Sequence, residues 1–288
     1  SMNRQTSSTS RFTVGDYDFD ITDEDLSTYD WDTAYDQWTT WSGNWRMRHL
    51  SSAMMGIEQQ PTKGGEESLS TVHEVMRSGE LLDAPNHVKD SVRESLINTH
   101  KTMEKISTGD TVSDRPLYRG LGSVPDDSEI LMAEQGETIT FPLSAFTPDR
   151  GLATTFADMN AESDKKVILQ LQNGAHVASS DYTTQIRDLE SDWVEVPIES
   201  VTQGEFTVVS KREQDGYTVV ELSHSKTFDP LSGKMVDTNV REGFASSSMR
   251  PERRVSDSAI RTLTDNMDFL RDNPPMGKGG KDLDDRWA

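Results

Sequence analysis

"SDWVEVPIE", residues 191–199, alternates with a period of two: Val194, Val196 and Ile198 lie on one side, and Trp193, Glu195 and Pro197 on the other. That is the pattern of a strand with one face in a core. The other face sets a carboxylate between an indole and a proline ring. A lone glutamate on a strand is ordinarily a solvated charge, so any further role for Glu195 depends on what the rest of the chain brings to it.

Outward from this stretch, period two recurs between Pro116 and about Ser223. "PLYRGL" (116–121), "ETITFPLSAF" (137–146), "KVILQL" (166–171), "EFTVVSK" (205–211) and "YTVVELS" (217–223) read as strands. Gly136, "NG" (173–174) and "DG" (215–216) punctuate them, and the last two strands form a hairpin around "REQDG". In "ETITFPLSAF", Ile139, Phe141, Leu143 and Ala145 fall on one face, and Ser144 and Phe146 on a second, non-core face. "PDRGLATTFADMN" (148–160) is the exception and reads as a short helix, with Leu152 and Phe156 at i, i+4.

Before Pro116 the period is helical. Trp31, Tyr35, Trp38, Trp41 and Trp45 are spaced as one helical stripe, expected to face a core. A second helix runs near Glu66 to Ser78 with Gly79 as its stop, and "PTKGG" (61–65) links the two. A third starts after Pro85 and carries Val88, Val92, Leu96, Met103 and Ile106. Helices followed by strands predict an α+β class. The expected organisation is a flexible arm over 1–24 and one domain over 25–225, with a helical part (25–107) and a β core (116–223). A C-terminal extension (226–288) follows, with one helix at about 256–271 and a flexible tail.

Composition narrows the chemistry. The 288 residues include no cysteine, which removes disulfides, zinc–thiolate sites and cysteine nucleophiles. A formal net charge of -21 disfavours a nucleic-acid partner. No apolar run approaches the roughly 20 residues of a membrane span. The six histidines are scattered without metal-ligand spacing, so no metal is expected. "RGLG" has neither the third glycine nor the following helix of a dinucleotide fingerprint.

Three polar residues on separate strands remain: Arg119 in "LYRGL", Ser144 in "FPLSAFTPD" and Glu195 in "WVEVP". Taken singly, they read as an ion-pair partner, a helix cap and a solvated charge. In this order and these contexts they resemble the mono-ADP-ribosyltransferases of the Arg–Ser–Glu type, a family that includes bacterial toxins and bacteriophage virion-associated proteins. The resemblance spans about residues 85–223. "LYRGL" is similar to the first-strand arginine motif, and "FPLSAFTPDRGLATTFA" to the serine strand and following helix. "KVILQLQNGAHVASSDYTTQIRDLESDWVEV" is similar to the two strands and recognition loop that lead to the catalytic glutamate. Two positions depart from the pattern. Trp193 stands where arginine-modifying members carry Glu and others Gln, and Phe146 stands where Ser or Thr is usual.

The resemblance implies a split, mixed β-sandwich with N-terminal helices. It also implies NAD as substrate, with ADP-ribose passing to a macromolecular acceptor, expected to be a host protein, and nicotinamide leaving. Glu195 would stabilise the oxocarbenium-like ribose, as carboxylates do in glycoside hydrolysis. Ser144 would hold that carboxylate by a hydrogen bond. Arg119 would grip phosphate with its planar fork, with Tyr118 and Gly120 beside it at the NAD site. Phe146 or Phe156 would stack on nicotinamide. Trp193, Arg187 and Asp192, in and beside the loop Asp181–Asp192, would meet the acceptor. The implied setting is a monomer without membrane anchorage, either virion-associated and delivered to a host cytoplasm or secreted as an effector. The competing readings are an NAD glycohydrolase of the same fold and a phage structural or interaction protein that keeps the fold without turnover. A two-carboxylate glycosidase using Glu190 and Glu195 is more distant.

Overall fold

The computed structural model describes residues 9–57, 71–122, 124–159, 165–187 and 192–238, and the backbone of 253–254. The "PTKGG" linker, the proposed 256–271 helix, the tail and Glu190 lie outside them.

The described residues begin with a hairpin, β1 (Thr9–Val14) and β2 (Tyr17–Thr22), where an arm was expected. "YDFDIT" alternates apolar and polar residues, and its inward side chains Phe19 and Ile21 are buried with Val14 against Leu50, Met76, Leu81 and Leu96. Low aliphatic content misled; the alternation is that of a half-buried ribbon.

Among the described residues five helices follow: α1 (Asp23–Ser27), α2 (Trp31–Thr39), α3 (Trp41–Met55), α4 (Thr71–Ser78) and α5 (Asn86–Thr108). The aromatic stripe is split between two of them. Thr40 has extended backbone, ends α2, and accepts from Gly43 N through its hydroxyl, starting α3. Trp31, Tyr35 and Trp38 therefore face one core, while the Trp41 and Trp45 rings lie 5.4 and 4.4 Å from that of His73. α5 starts after Pro85 and stops at Gly109 in the left-handed conformation.

The β region contains β3 (Leu117–Leu121), β4 (Thr138–Phe146), β5 (Val167–Leu171), β6 (Ala178–Ser179), β7 (Tyr182–Arg187), β8 (Trp193–Pro197), β9 (Ser200–Gln214), β10 (Tyr217–Asp229), β11 (Lys234–Asp237) and β12 (Arg253–Arg254). α6 (Glu129–Met132) precedes β4, and α7 (Arg150–Asp158) follows it. One mixed sheet runs β3-β5-β10-β9-β4, with β11 on β10 and β6 on β9; β5 and β10 are parallel. A second sheet has the order β12-β7-β8. The α+β class, the mixed strand pairing, the division of the β region into two sheets and the N-terminal helices agree with the sequence reading.

The large sheet curls until its ends meet. Tyr118 N donates to Thr147 O at 2.7 Å and Thr147 N to Tyr118 O at 2.9 Å, so β3 touches the chain leaving β4. Inside the curl, Leu117, Leu121, Phe141, Phe146, Leu169, Phe206 and Val220 form the main core. Outside, the helices cover β4 and β9 through Trp38, Met47, Met103, Leu143 and Val201. α7 covers β3 and β5, with Ala153 and Ala157 against Ile168.

A bulge in β4 alters the expected alternation. The β4–β9 register slips between Phe141 and Ser144. Ile139 and Phe141 thus share the inner core with Phe146, while Leu143 and Ala145 face the helices. Buried main-chain groups at a bulge need partners, because leaving one unmade costs about 1–3 kcal/mol. α3 supplies them: Arg48 Nε donates to Leu143 O at 3.1 Å, and Leu143 N donates to Ser51 Oγ at 3.1 Å.

Candidate active site

Glu195 stands on β8, in the ribbon that β7 and β8 form within the small sheet where the chain leaves the main one. Ala178 and Ser179 pair with Val201 and Ser200, and Thr183 pairs with Pro197, one residue out of step. The slip falls at Ser180–Asp181, beyond which β7 and β8 leave the large sheet. The segment read as a recognition loop over Asp181–Asp192 is therefore strand as far as Arg187.

Three aromatics of α2 hold the root of this ribbon. Trp31 Nε1 donates to Ser179 O at 2.8 Å, and Trp38 Nε1 donates to a Glu199 carboxylate oxygen. Burial pushes the Tyr35 hydroxyl well above its ordinary pKa, the Glu199 carboxylate adds to this, and a hydrogen bond with Ser180 opposes it. Three of the five aromatics in the stripe thus anchor the segment that leads into β8.

On one ribbon face the side chains run in cross-strand pairs: Arg187 opposite Trp193, Gln185 opposite Glu195, Thr183 opposite Pro197. Exposure falls along the face, from Trp193 at 67% to Thr183 at 0%. Glu195, half-buried between them, accepts a 2.7 Å hydrogen bond at Oε1 from the Thr183 hydroxyl. Among the described residues no other partner binds its carboxylate and no cation pairs with it.

Ser144 does not hold Glu195. It is fully buried and donates to Pro142 O at 2.8 Å, closing the bulge. Arg119 shares its strand face with Leu117 and Leu121, is 4% exposed, and donates from Nη1 to Ala145 O at 2.8 Å. Its guanidinium lies at the seam where the sheet closes. Phe146 is buried in the inner core and offers no stacking face; Phe156 on α7 is half-buried. Gly120 faces α7 rather than a ligand: a Cβ there would meet Ala153 O at 1.7 Å, so glycine is what lets α7 lie on β3. Tyr118 packs on the same side, against the Ala153–Ala157 cluster. The NAD-site residues expected together are therefore divided between two faces of β3. Arg187, Trp193 and Asp192 are all exposed. No group of three or more His, Asp or Glu among the described residues is placed to hold a metal ion.

Thr183 was missed from sequence. The density of β-branched and aromatic residues in "YTTQIR" was the available signal of a strand, and the strand's parity would have put Thr183 on the face of Glu195.

No family model and no curated protein sequence matches the chain. Several solved structures that it resembles are ADP-ribosyltransferases. The Vis toxin of Vibrio splendidus, an ADP-ribosyltransferase, is 12% identical over 75% of this chain and 96% of its own, with a TM-score of 0.30. Exoenzyme S from Pseudomonas aeruginosa, solved with human 14-3-3 protein beta and bound to carba-NAD, is 12% identical over 67% and 88%, with a TM-score of 0.30. The C3larvin toxin of Paenibacillus larvae, an ADP-ribosyltransferase, is 9% identical over 70% and 92%, also at 0.30. Among the described residues no helix is long and apolar enough to cross a membrane.

Proposed function

We propose that this chain is an NAD-dependent mono-ADP-ribosyltransferase acting on a macromolecular acceptor, in the setting its sequence resemblance implies: a host protein met by an effector or virion-associated protein. The observation that carries this reading is the state of Glu195. It is a half-buried carboxylate, fixed at one oxygen by a neutral hydroxyl and neutralised by no described cation. A carboxylate aimed into a partly dry site stabilises positive charge that develops nearby. The reaction supplies that charge: the ribose C1′–nitrogen bond breaks, its electron pair leaves with nicotinamide, and C1′ becomes oxocarbenium-like. The acceptor's nucleophilic atom then bonds C1′ and loses its proton to solvent.

Arg119 has the chemistry of the phosphate anchor in this reading, because a guanidinium oriented by a main-chain carbonyl is a preorganised fork. Trp193 and Arg187 form the acceptor rim, with Asp192 beside Trp193. A cation opposite Trp193 disfavours a guanidinium acceptor and suits neutral or anionic side chains.

The test is incubation with NAD labelled on the adenine and a bacterial or eukaryotic lysate, following nicotinamide release and label on protein. Transfer to protein that is lost in Glu195→Gln supports the reading. Free ADP-ribose without labelled protein would make the chain a glycohydrolase. Absence of both nicotinamide release and NAD binding by calorimetry would overturn the assignment.

A further inference from the structure

We infer that Thr183 is the positioning residue of Glu195, in the place that the motif reading reserved for Ser144; the catalytic part of this inference rests on the function proposed above. Three observations converge on it. The Thr183 hydroxyl donates to Glu195 Oε1 at 2.7 Å, the length of a charge-assisted bond. Thr183 is fully buried, and a β-branched side chain on a strand has few χ1 choices, so the donor is held in place before substrate arrives. The hydroxyl of Ser144 is committed to Pro142 O.

Register explains how the two residues meet. Thr183 lies directly opposite Pro197, and Glu195 is its diagonal neighbour on the same face. Diagonal pairs lie within reach of a long side chain. Gln185, the direct partner of Glu195, is exposed at the rim. A donor below and open rim above fix Oε1 inward and turn Oε2 toward the side from which substrate comes. A ribose hydroxyl is the group that such an oxygen would accept from. Thr183 acts through Glu195 and touches neither substrate nor the reacting bond.

Thr183→Val nearly keeps shape and removes the donor; Thr183→Ser keeps the donor. In steady-state transfer assays, Thr183→Val should lower kcat by about 30-fold or more while the KM for NAD stays within about threefold, and Thr183→Ser should recover to within about threefold of wild type. A purely structural role would not be rescued in this way, and melting curves of both variants monitor the fold. A second measurement needs no turnover: in protein carrying 13C-carboxyl glutamate, the Glu195 resonance should move in Thr183→Val and return in Thr183→Ser. A resonance that does not move overturns the inference whether or not the protein is a transferase. A resonance that moves while kcat is unchanged overturns the positioning role. A wild-type protein that leaves NAD intact, with the resonance moving as expected, overturns the catalytic part together with the function proposed above, and that outcome differs from a failed contact.

Discussion

Trp38 donates its indole N–H to the Glu199 carboxylate, joining two positions 161 residues apart. With Trp31 on Ser179 and Tyr35 beside Ser180, this contact ties α2 to the residues from which the Glu195 ribbon departs. The helical layer is thus a support for the candidate catalytic strand as well as a cover for the sheet.

Trp38→Phe keeps an aromatic ring in the core and leaves the Glu199 carboxylate without its indole donor. Stability should fall by about 1–3 kcal/mol, read as a shift of the urea midpoint. Transfer kcat should fall severalfold while NAD affinity, measured by calorimetry, stays within twofold. Unchanged kcat in a destabilised variant would show that α2 stabilises the fold without orienting the ribbon.

Glu195→Gln removes the charge and nearly keeps the shape. Loss of an electrostatic contribution of this kind is worth about 100-fold or more in kcat. The melting temperature should change by no more than a few degrees, since no ion pair with a described residue is lost. Activity within tenfold of wild type would remove Glu195 from the mechanism.

Arg119→Lys replaces a planar fork by a point charge. Calorimetry should show NAD binding weakened by about tenfold or more, because an ammonium cannot reproduce bidentate contact. An unchanged dissociation constant, with the melting temperature lowered, would make Arg119 a structural clasp between β3 and Ala145.

Agmatine, a small guanidinium compound, should be a poor acceptor at a rim formed by Trp193 and Arg187. Trp193→Glu combined with Arg187→Gln replaces an indole and a cation by one carboxylate, and should raise agmatine modification severalfold by removing repulsion and adding attraction. Wild-type protein that modifies agmatine as fast as a protein target, with no gain in the double variant, would refute the rim assignment.

Acid should destabilise the fold at a defined place on the pH scale. Burial lowers the pKa of His224 to about 4, with His176 adding to it; burial and then the Arg46 charge lower His73 to about 4. In the unfolded chain both titrate near 6.5, about two and a half units higher. Between those values the unfolded state binds the extra protons. The stability from keeping the rings neutral is therefore complete above about pH 6.5 and is lost as pH falls toward 4, by up to about 3 kcal/mol for each ring. Urea midpoints at pH 7.5 and pH 5.0 check this; equal midpoints would mean that the imidazoles are accessible to protons in the native state.

Much of the fold was legible because its signals are local. The stop at Gly79 and the turn at Asp215–Gly216 follow from residues at positive φ, and the start after Pro85 from the fixed φ of proline. "KVILQL" and "YTVVELS" are short apolar, β-branched runs bounded by turn signals, and they form β5 and the start of β10. "YDFDIT" and "YTTQIR" carry a period of two with polar residues on one side; the shortage of aliphatics makes the first read as an arm, and the family resemblance makes the second read as part of a recognition loop.

The candidate site was legible as residue types and not as contacts. Sequence alone placed Arg119, Ser144 and Glu195 on three separate strands, and period two put Glu195 on a face away from the core. Only the tertiary structure decided which hydroxyl meets the carboxylate. One bulge in β4 committed Ser144 to Pro142 O, and one slip at Ser180–Asp181 set the register that brings Thr183 to Glu195. Register is settled by long-range packing: here the α2 aromatics fasten the ribbon root, and Arg48 and Ser51 satisfy the bulge from another helix. A one-residue shift reverses which side chains share a face, and no local stretch of sequence contains the partners that choose it.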